Sequence, residues 1–469
     1  MLTQLSIQNF KGWKDTGSIQ MSPITLFFGA NSAGKSSIGQ FLMLLKQTTE
    51  SSDRDAVFYP GGKNSAVQLG SYQEMIFQHD LSNKLSFEYQ WLMNKKLIVK
   101  DPVSSNEYVA NKLDFSAVIC AGDAKNQLPQ VEKIQYQLLN DDDLSMTIQL
   151  ERKENKKEYS VNSQKYELRQ KKMRSWPIKK TVRFYGFPDE MVVYYQNAEF
   201  VQQLNLAQEN LFKSLYYLGP LRTKTDRLYT WAGNTPESVG YAGENAIAAI
   251  LASRQRKIGI VKPGASRSSP AKPFEQIIAE SLKRLGLIEA FKVKSLSENY
   301  YEVKLKTRGS RDWVDLPDVG FGISQVLPVL VQSYYAPPGS IIIMEQPEIH
   351  LHPRAQSALA DVMIDAINSK ENNKDRNIQL IIETHSEHFL RRLQRRIAEE
   401  KISREKVSAY FANITHTPAK LEPLQIDLFG NITNWPANFF GDEMADITAQ
   451  AKAAMEKKLQ LKKQSETAE

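Results

Sequence analysis

The stretch Gly29-Ala30-Asn31-Ser32-Ala33-Gly34-Lys35-Ser36-Ser37 lies between two apolar runs of different character. Residues 24–28 read Ile-Thr-Leu-Phe-Phe, which predicts a short buried strand, and residues 38–45 predict an apolar helix. The glycines and the Lys-Ser pair match the spacing Gly-x-x-x-x-Gly-Lys-Ser of a phosphate-binding P-loop, in the strand-to-helix context that it requires. A chance glycine-serine turn is the alternative, but it would not account for the flanking elements. The stretch therefore predicts an α/β protein with a phosphate site.

Each residue type in this loop has a chemical purpose. The glycines let backbone N–H groups turn toward a phosphate, and the following helix offers its positive N-terminal end. Lys35 would supply a charge to the β- and γ-phosphates, and the Ser36 hydroxyl would join the coordination shell of Mg²⁺. ATP and Mg²⁺ are therefore the expected ligands. The expected nucleotide contacts from the loop are Gly29, Asn31, Ser32, Ala33, Gly34, Lys35, Ser36 and Ser37.

Two further strands end in polar residues far downstream. Residues 341–348 read Ile-Ile-Ile-Met-Glu-Gln-Pro-Glu, and a carboxylate at the tip of a strand beside the P-loop strand can hold the metal. Glu345 occupies that place. The strand at 378–383 is followed by Thr-His-Ser, in which His385 can contact a γ-phosphate. The long separation between Ser36 and Glu345 requires a large insertion or several domains between the two halves of one site.

Four of the six histidines cluster around these two strands, which raises zinc as an alternative ligand. The spacing His-x-x-His with an internal Glu is not the metalloprotease pattern His-Glu-x-x-His, and no third ligand is evident. Loop histidines around a nucleotide explain the cluster better. The four residues are His350, His352, His385 and His388.

The order of these motifs resembles the ABC-type ATPases of the RecF, SMC and OLD (overcoming lysogenization defect) group, over nearly the whole chain. Residues 217–222 (Tyr-Leu-Gly-Pro-Leu-Arg), 318–325 (Asp-Val-Gly-Phe-Gly-Ile-Ser-Gln) and 434–440 (Asn-Trp-Pro-Ala-Asn-Phe-Phe) resemble a bacterial subfamily of stand-alone ATPases. Relatives of that subfamily serve in anti-phage defence, such as the ATPase subunits of Septu and of retrons. The resemblance implies an α/β fold: a P-loop ABC-type ATPase head with a large compact α+β insertion between Walker A and the half that carries the signature and Walker B.

The resemblance also implies a head that dimerises and traps ATP between the P-loop of one copy and the signature of the other. The signature would be residues 320–325, in which Gly320, Gly322 and Ser324 are the expected nucleotide contacts. This segment departs from the Leu-Ser-Gly-Gly-Gln form of the wider family. The alternative to a signature is a glycine-containing flexible loop that leads into a core helix. Gln73 is the candidate Q-loop residue at the metal, with Gln68 as the alternative, and a plain surface glutamine is as consistent with the sequence as either.

Gln346 is the sharpest departure from the family pattern. The wider family has a Glu after the metal-binding carboxylate, which polarises the attacking water. Gln can orient water but cannot take its proton, so slow hydrolysis remains feasible because phosphoryl transfer depends mainly on positioning. Glu348 could substitute, although Pro347 fixes its direction. The expected catalytic residues are Glu345, Gln346, Glu348 and His385.

Four segments follow from this interpretation. Residues 1–80 would be the N-terminal half of the head and residues 310–415 its C-terminal half. Residues 81–309 would form the inserted lobe, because scattered prolines and the lack of heptads exclude a coiled-coil arm. Residues 416–469 would be a subfamily segment with a charged helical tail.

Composition is that of an ordinary soluble protein: 469 residues, net charge +7, 24% charged residues and one cysteine. No run is long and apolar enough for a spanning helix, and nothing at the N-terminus predicts export, so a cytoplasmic location without a membrane partner is expected. Basic residues at 169–180 and 391–396 could bind nucleic acid or could be ordinary solvated and paired charges.

The expected function is a slowly hydrolysing, ATP-gated sensor and scaffold in a bacterial defence system, acting as a homodimer or higher oligomer. A separate effector, a nuclease or a toxin, would do the damage, because too few residues follow His385 for a nuclease domain. One alternative is a RecF-like repair ATPase that binds DNA directly, and another is an ATP-dependent assembly module that does not hydrolyse ATP.

Overall fold

Four sheets, the nine helices α1 to α9 and a helical stretch at 448–455 organise the part of the chain described by this computed structural model. The described residues are 1–122, 128–153, 158–171, 177–261, 269–307, 309–413, 418–436, 439, 448–455 and 457. The strands are β1 Leu2–Phe10, β2 Trp13–Asp15, β3 Ile19–Gln20, β4 Ile24–Gly29, β5 Leu85–Lys100, β6 Glu107–Ala121, β7 Pro129–Asn140, β8 Asp143–Arg152, β9 Tyr159–Gln164, β10 Leu215–Leu218, β11 Tyr229–Thr230, β12 Lys257–Ile260, β13 Lys272–Pro273, β14 Ala290–Ser295, β15 Tyr300–Lys306, β16 Val314–Asp315, β17 Ile341–Glu345, β18 Ser369–Glu371, β19 Lys374–Asp375, β20 Gln379–Glu383, β21 Val407–Asn413 and β22 Lys420–Pro423. The helices are α1 Lys35–Glu50, α2 Tyr72–Met75, α3 Glu190–Tyr194, α4 Phe200–Lys213, α5 Ala246–Ala252, α6 Phe274–Arg284, α7 Phe321–Tyr335, α8 Pro353–Ile367 and α9 Glu387–Ala398, with short 3₁₀ turns at Phe77–His79, Leu316–Asp318 and Arg404–Lys406.

The central sheet positions the phosphate loop. Its strand order is β10-β17-β20-β4-β21-β22, and the first five strands are parallel. Along β17, Ile341 and Ile343 face one hydrophobic core, while Ile342 and Met344 face the other. This alternation follows from the two-residue period of a strand, and the wholly apolar composition follows from burial on both faces. Helix α1 covers the first face, and α7, α8 and α9 cover the second.

A large antiparallel sheet joins the N-terminus to the middle of the chain. Its order is β2-β1-β5-β6-β7-β8-β9, and β3 pairs with β1. Strands β5 to β8 are 16, 15, 12 and 10 residues long. This part of the chain is therefore a packed sheet and not a coiled-coil arm. The mixed α/β class predicted for the chain is confirmed.

The sheets do not follow the predicted segment boundaries. The strand β1 lies within residues 1–80 but pairs with β5, and β10 lies within residues 81–309 but pairs with β17 of the C-terminal half. Likewise, β12 lies within residues 81–309 but pairs with β18, which lies within residues 310–415. The segment 81–309 is thus divided between several sheets, because pairing between strands distant in sequence is not visible in local composition.

The region 200–258 is helical only in part. Its composition, rich in Leu, Gln and Ala, predicts a helical region. The structure instead places the buried strand β10 between α4 and α5. Four consecutive buried residues, Leu-Tyr-Tyr-Leu, suit a strand that is covered on both faces. The predicted strands β4, β17 and β20 and the predicted helix α1 are confirmed.

Residues 262–268 are rich in serine, glycine and basic residues and lie outside the described residues, as do parts of the basic segment at 169–180 and of the tail after residue 450. Residues 448–455 of the tail are helical. Among the described helices, none combines the length and the apolar character needed to cross a membrane.

Candidate functional site

The P-loop is a tight turn between β4 and α1. Gly34 precedes the helix with φ of 84°, in the left-handed region that glycine adopts without strain, and Ser32 also has a positive φ of 63°. A Cβ at Gly34 would lie 3.1 Å from the ring of Trp13. Asn31 and Ser32 are exposed at the tip, while Ala33 is buried beneath them. The loop therefore presents its backbone at the start of α1, where a phosphate would benefit from the helix dipole.

Trp13 supports this turn from below. Its side chain is fully buried, and its indole N–H donates to the Gly34 carbonyl (3.0 Å) and to the Ser37 hydroxyl (2.9 Å). Ser37 in turn donates to the Gly34 carbonyl and is buried. The sequence predicts Ser37 as a nucleotide contact. In the structure its hydroxyl instead hydrogen-bonds to Trp13 and Gly34 and helps to hold the turn, because the helix directs position 37 into the core.

Lys35 lies inside the loop. Its ammonium donates to the carbonyls of Gly29 (3.1 Å) and Ala30 (2.7 Å), and the residue is only 4% exposed. Burial lowers its pKa, while Glu383 and Glu345 act in the opposite direction. Both strand-tip carboxylates therefore interact electrostatically with Lys35, although they lie far away in sequence.

The two strand tips meet beside Lys35. In the parallel ladder Glu345 of β17 is the direct partner of Glu383 of β20, and Glu383 is the partner of Phe27 of β4. Glu383 Oε1 lies 3.9 Å from Lys35 Nζ. Burial raises the pKa of the Glu345 carboxyl to about 7, the Tyr217 hydroxyl opposes that shift, and the Glu383 charge adds to it. Burial also raises the pKa of Glu383, against a hydrogen bond from Ser36 and the charge of Lys35.

Tyr217 and Arg222, on β10 and just after it, contact the end of β17, the strand that would be Walker B. The Tyr217 hydroxyl donates to Glu345 Oε1 (2.7 Å), and the Arg222 guanidinium donates to the carbonyls of Glu345 (2.9 Å) and Gln346 (3.2 Å). Burial lowers the pKa of Arg222 to about 10, although the Glu348 and Glu345 charges oppose this. The motif Tyr-Leu-Gly-Pro-Leu-Arg thus orients the Glu345 carboxylate and the backbone of Gln346.

Gln346 leaves the strand in an unusual conformation. Its φ is 44°, and its backbone N–H donates to the Glu383 carbonyl (2.8 Å). A positive φ is uncommon for a residue other than glycine, and here the Arg222 and Glu383 contacts maintain it.

Glu348 connects the Walker B segment to the His385 loop. Glu348 Oε1 accepts the His385 backbone N–H (2.9 Å), and the side chain is buried. Burial raises its pKa, and a hydrogen bond from Thr384 opposes this. The imidazole of His385 is exposed, and burial of part of the ring together with the Lys35 charge lowers its pKa. Glu348 therefore positions the histidine segment.

The signature segment forms the exposed start of α7. Gly320 precedes the helix and is exposed, and Phe321 is 54% exposed with its ring 4.8 Å from that of His350. A Cβ at Gly322 would lie 2.8 Å from the His350 carbonyl, so glycine permits the close approach of these two segments. The Ser324 hydroxyl is buried and donates to the Phe321 carbonyl (2.7 Å).

The Q-loop candidates are engaged elsewhere. The Gln73 amide on α2 donates to the His79 carbonyl (3.1 Å), and the Gln68 amide donates to the Lys63 carbonyl (3.1 Å). Both side chains are exposed. These hydrogen bonds are the local contacts expected of surface glutamines.

The histidine cluster gives no support to zinc. Across the described ranges, no group of three or more His, Cys, Asp and Glu side chains is arranged to hold a metal ion. His352 caps α8 by accepting the Arg354 backbone N–H, which accounts for one of the four residues. Glu345 and Ser36 offer the hard oxygen donors that Mg²⁺ prefers, and Mg²⁺ takes its other ligands from phosphates and water.

The arginines of α9 are mostly engaged in ion pairs. Arg392 and Arg396 both pair with Asp361 of α8, and Arg395 pairs with Glu399. The segment 391–396 therefore has a structural explanation. In the other basic segment, Trp176 and its neighbours from residue 172 lie outside the described part, and Lys180 pairs with Asp55.

Three family models match the chain. Residues 1–216 match the family described as "AAA ATPase domain", and residues 212–391 match the family described as "AAA domain, putative AbiEii toxin, Type IV TA system". Residues 402–450 match a family of proteins of unknown function. No curated protein matches the chain significantly. Residues 1–391 are thus similar to AAA-type ATPase domains, and this range includes the strands β4, β10, β17 and β20 of the central sheet.

Solved structures of SMC heads are similar to the chain over most of its length. An SMC head bound to the C-winged helix domain of ScpA has 9% identity and a TM-score of 0.42, covering 91% of this chain and 98% of that one. The SMC head domain of Thermotoga maritima has 10% identity and a TM-score of 0.40, covering 91% and 99%. An SMC head with an extended coiled coil, bound to the C-terminal domain of ScpA from Pyrococcus furiosus, has 10% identity and a TM-score of 0.41, covering 90% and 96%.

Proposed function

We propose that this protein is an ATP-binding switch that hydrolyses ATP slowly with Mg²⁺. The observation that carries the proposal is the arrangement of Lys35 and Ser36 opposite the adjacent strand tips Glu345 and Glu383. The loop offers backbone N–H groups and a buried ammonium for phosphates, while the strand tips offer oxygen ligands for the ion. When bound, Mg²⁺ would neutralise charge on the β- and γ-phosphates.

Gln346 supports slow turnover. It follows the metal carboxylate, where a carboxylate would be needed to accept a proton from water, and an amide can only orient that water. Glu348 is buried and its Oε1 accepts the His385 N–H, so only Oε2 remains for a water molecule. ATP binding, rather than turnover, would then determine the conformation of the head.

The signature supports a dimer of heads. Gly320 and Phe321 begin α7 on the surface, so a second copy can approach the helix start closely. The two ATP molecules would be bound between P-loop and signature of opposite copies. Such an assembly would act as a nucleotide-gated scaffold for a separate effector in bacterial defence, which the motif resemblance and the toxin–antitoxin description of the matched family favour.

Gln346→Glu tests the slow-switch proposal. We expect faster steady-state phosphate release, by at least about tenfold, because general-base assistance contributes roughly 10²–10⁴ in rate. The control is Gln196→Glu, which adds the same charge at an exposed position. An unchanged or lower rate, with ATP still bound, would show that position 346 does not limit turnover.

A further inference from the structure

Two carboxylates leave the same edge of the central sheet side by side. Glu345 and Glu383 are register partners in a parallel ladder, in which adjacent strands lie about 4.8 Å apart. Ile343 and Ile381, two residues earlier on each strand, both face the core that contains α1. By the two-residue period, both carboxylates are therefore on the α1 face, which is the face of the P-loop.

Glu383 has an incomplete set of partners. The residue is 8% exposed, and its Oε1 lies 3.9 Å from Lys35 Nζ. Oε2 is buried and has no hydrogen-bond partner among the described residues. A buried carboxylate oxygen without a partner is costly and indicates an ion or water that belongs there.

We propose that Glu383 is a second carboxylate of the Mg²⁺ site and holds the ion together with Glu345 and the Ser36 hydroxyl, directly or through water. This inference rests on the proposed function, because it concerns the same ATP site. Mg²⁺ is usually bound by one or two carboxylates together with substrate phosphates and water, so the donor set fits.

The position of Glu383 also gives a physical meaning to Gln346. Where the resemblance leads one to expect two adjacent carboxylates on one strand, this chain has one carboxylate on β17 and another on the neighbouring strand β20. The second charge lies between the P-loop strand and the Walker B strand, close to Ser36, and is thus suited to the ion rather than to the attacking water.

The test measures metal affinity apart from hydrolysis. The full chain is saturated with ADP, Mn²⁺ is added as the probe, and free Mn²⁺ is followed by electron paramagnetic resonance. For Glu383→Gln we expect at least about a tenfold weaker Mn²⁺ affinity, in the range seen when metal-site partners are removed. In EDTA, ADP affinity should stay equal or increase, because no ion is present and the phosphates lose a nearby negative charge. The matched control Glu387→Gln removes one charge four residues later, from an exposed pair with Arg391, and should leave Mn²⁺ affinity unchanged.

The alternative outcomes are distinct. If Glu383→Gln tightens ADP binding in EDTA but leaves Mn²⁺ affinity unchanged, Glu383 is only a counter-charge for Lys35 and the inference is overturned. Should Glu383→Gln fail to fold, Glu383→Asp keeps the charge and must retain more ADP-dependent Mn²⁺ affinity than Glu383→Ala. If the unmodified chain binds ADP but no Mn²⁺, this inference fails alone, whereas a chain that binds no nucleotide overturns the proposed function itself.

Discussion

Gly34 shows how one residue can determine the shape of the phosphate loop. Its φ of 84° favours glycine, and an added Cβ would lie only 3.1 Å from the Trp13 ring, so a side chain would force the ring to move. Trp13 in turn donates to the Gly34 carbonyl. The loop conformation and the buried tryptophan are therefore mutually dependent, and a change at Gly34 should affect both.

We expect Gly34→Ala to destabilise the protein by more than the backbone cost alone, which is about 1–2 kcal/mol for a left-handed residue. Gly17→Ala is the matched control, since Gly17 has φ of 65° but nothing within 4 Å of a Cβ. Urea unfolding of both variants, together with ATP titration, checks this. Equal losses of stability would mean that the contact with Trp13 is unimportant.

Tyr217 and Trp13 show what the local sequence does not reveal, whereas Glu383 is a site residue absent from the sequence-based prediction. Lys35, Ser36, Glu345 and His385 could be predicted because each belongs to a recognisable local motif. Tyr217, Glu383 and Trp13 contact the site only through strand pairing or packing between distant segments. A glutamate directly before the Thr-His-Ser motif was a visible signal, since it ends a buried strand in the same way as Glu345 does.

At the scale of elements, α7 is anchored at one end and exposed at the other. Arg376, which is fully buried, donates to the carbonyls of Tyr334 (2.8 Å) and Ala336 (2.6 Å), and Arg256 donates to that of Tyr335 (2.9 Å). These cations satisfy the last carbonyls of the helix and complement its dipole. The C-terminal end is thereby fixed, so that the signature at the N-terminal end has a defined position at the surface.

Phe321→Glu tests whether this exposed helix start contacts a second copy. We expect ATP-dependent dimerisation to weaken by at least about tenfold, because a charge would replace a large apolar contact in an interface. ATP affinity of the monomer should be unchanged, since the P-loop lies on another element. Light scattering with and without ATP provides the measurement.

Leu296→Glu is the control for that experiment, because Leu296 is also about half exposed (51%) but lies outside α7. A dimer that is equally stable in both variants would contradict the role assigned to the signature. A chain that remains monomeric with saturating ATP would contradict it as well.

On the scale of the whole molecule, the strands and helices next to the motifs were predictable, but their pairing was not. Apolar runs such as residues 341–345 are strands by composition, and their parallel order follows once the P-loop is recognised. The pairing of β1 with β5 and the strand nature of β10 depend on contacts between segments far apart in sequence. For this reason the predicted boundaries at 80 and 309 do not coincide with the sheets.

The central claim is that two distant halves of the chain form one nucleotide site, and the most direct test is calorimetric titration of ATP with Mg²⁺. Lys35→Ala should weaken ATP binding by at least about tenfold, because hydrogen bonds to charged groups contribute roughly 1.5–3 kcal/mol. The control Lys14→Ala, at an exposed position on β2, should bind as the unmodified chain does. If Lys35→Ala binds ATP as tightly as the unmodified chain, the site is not where this account places it.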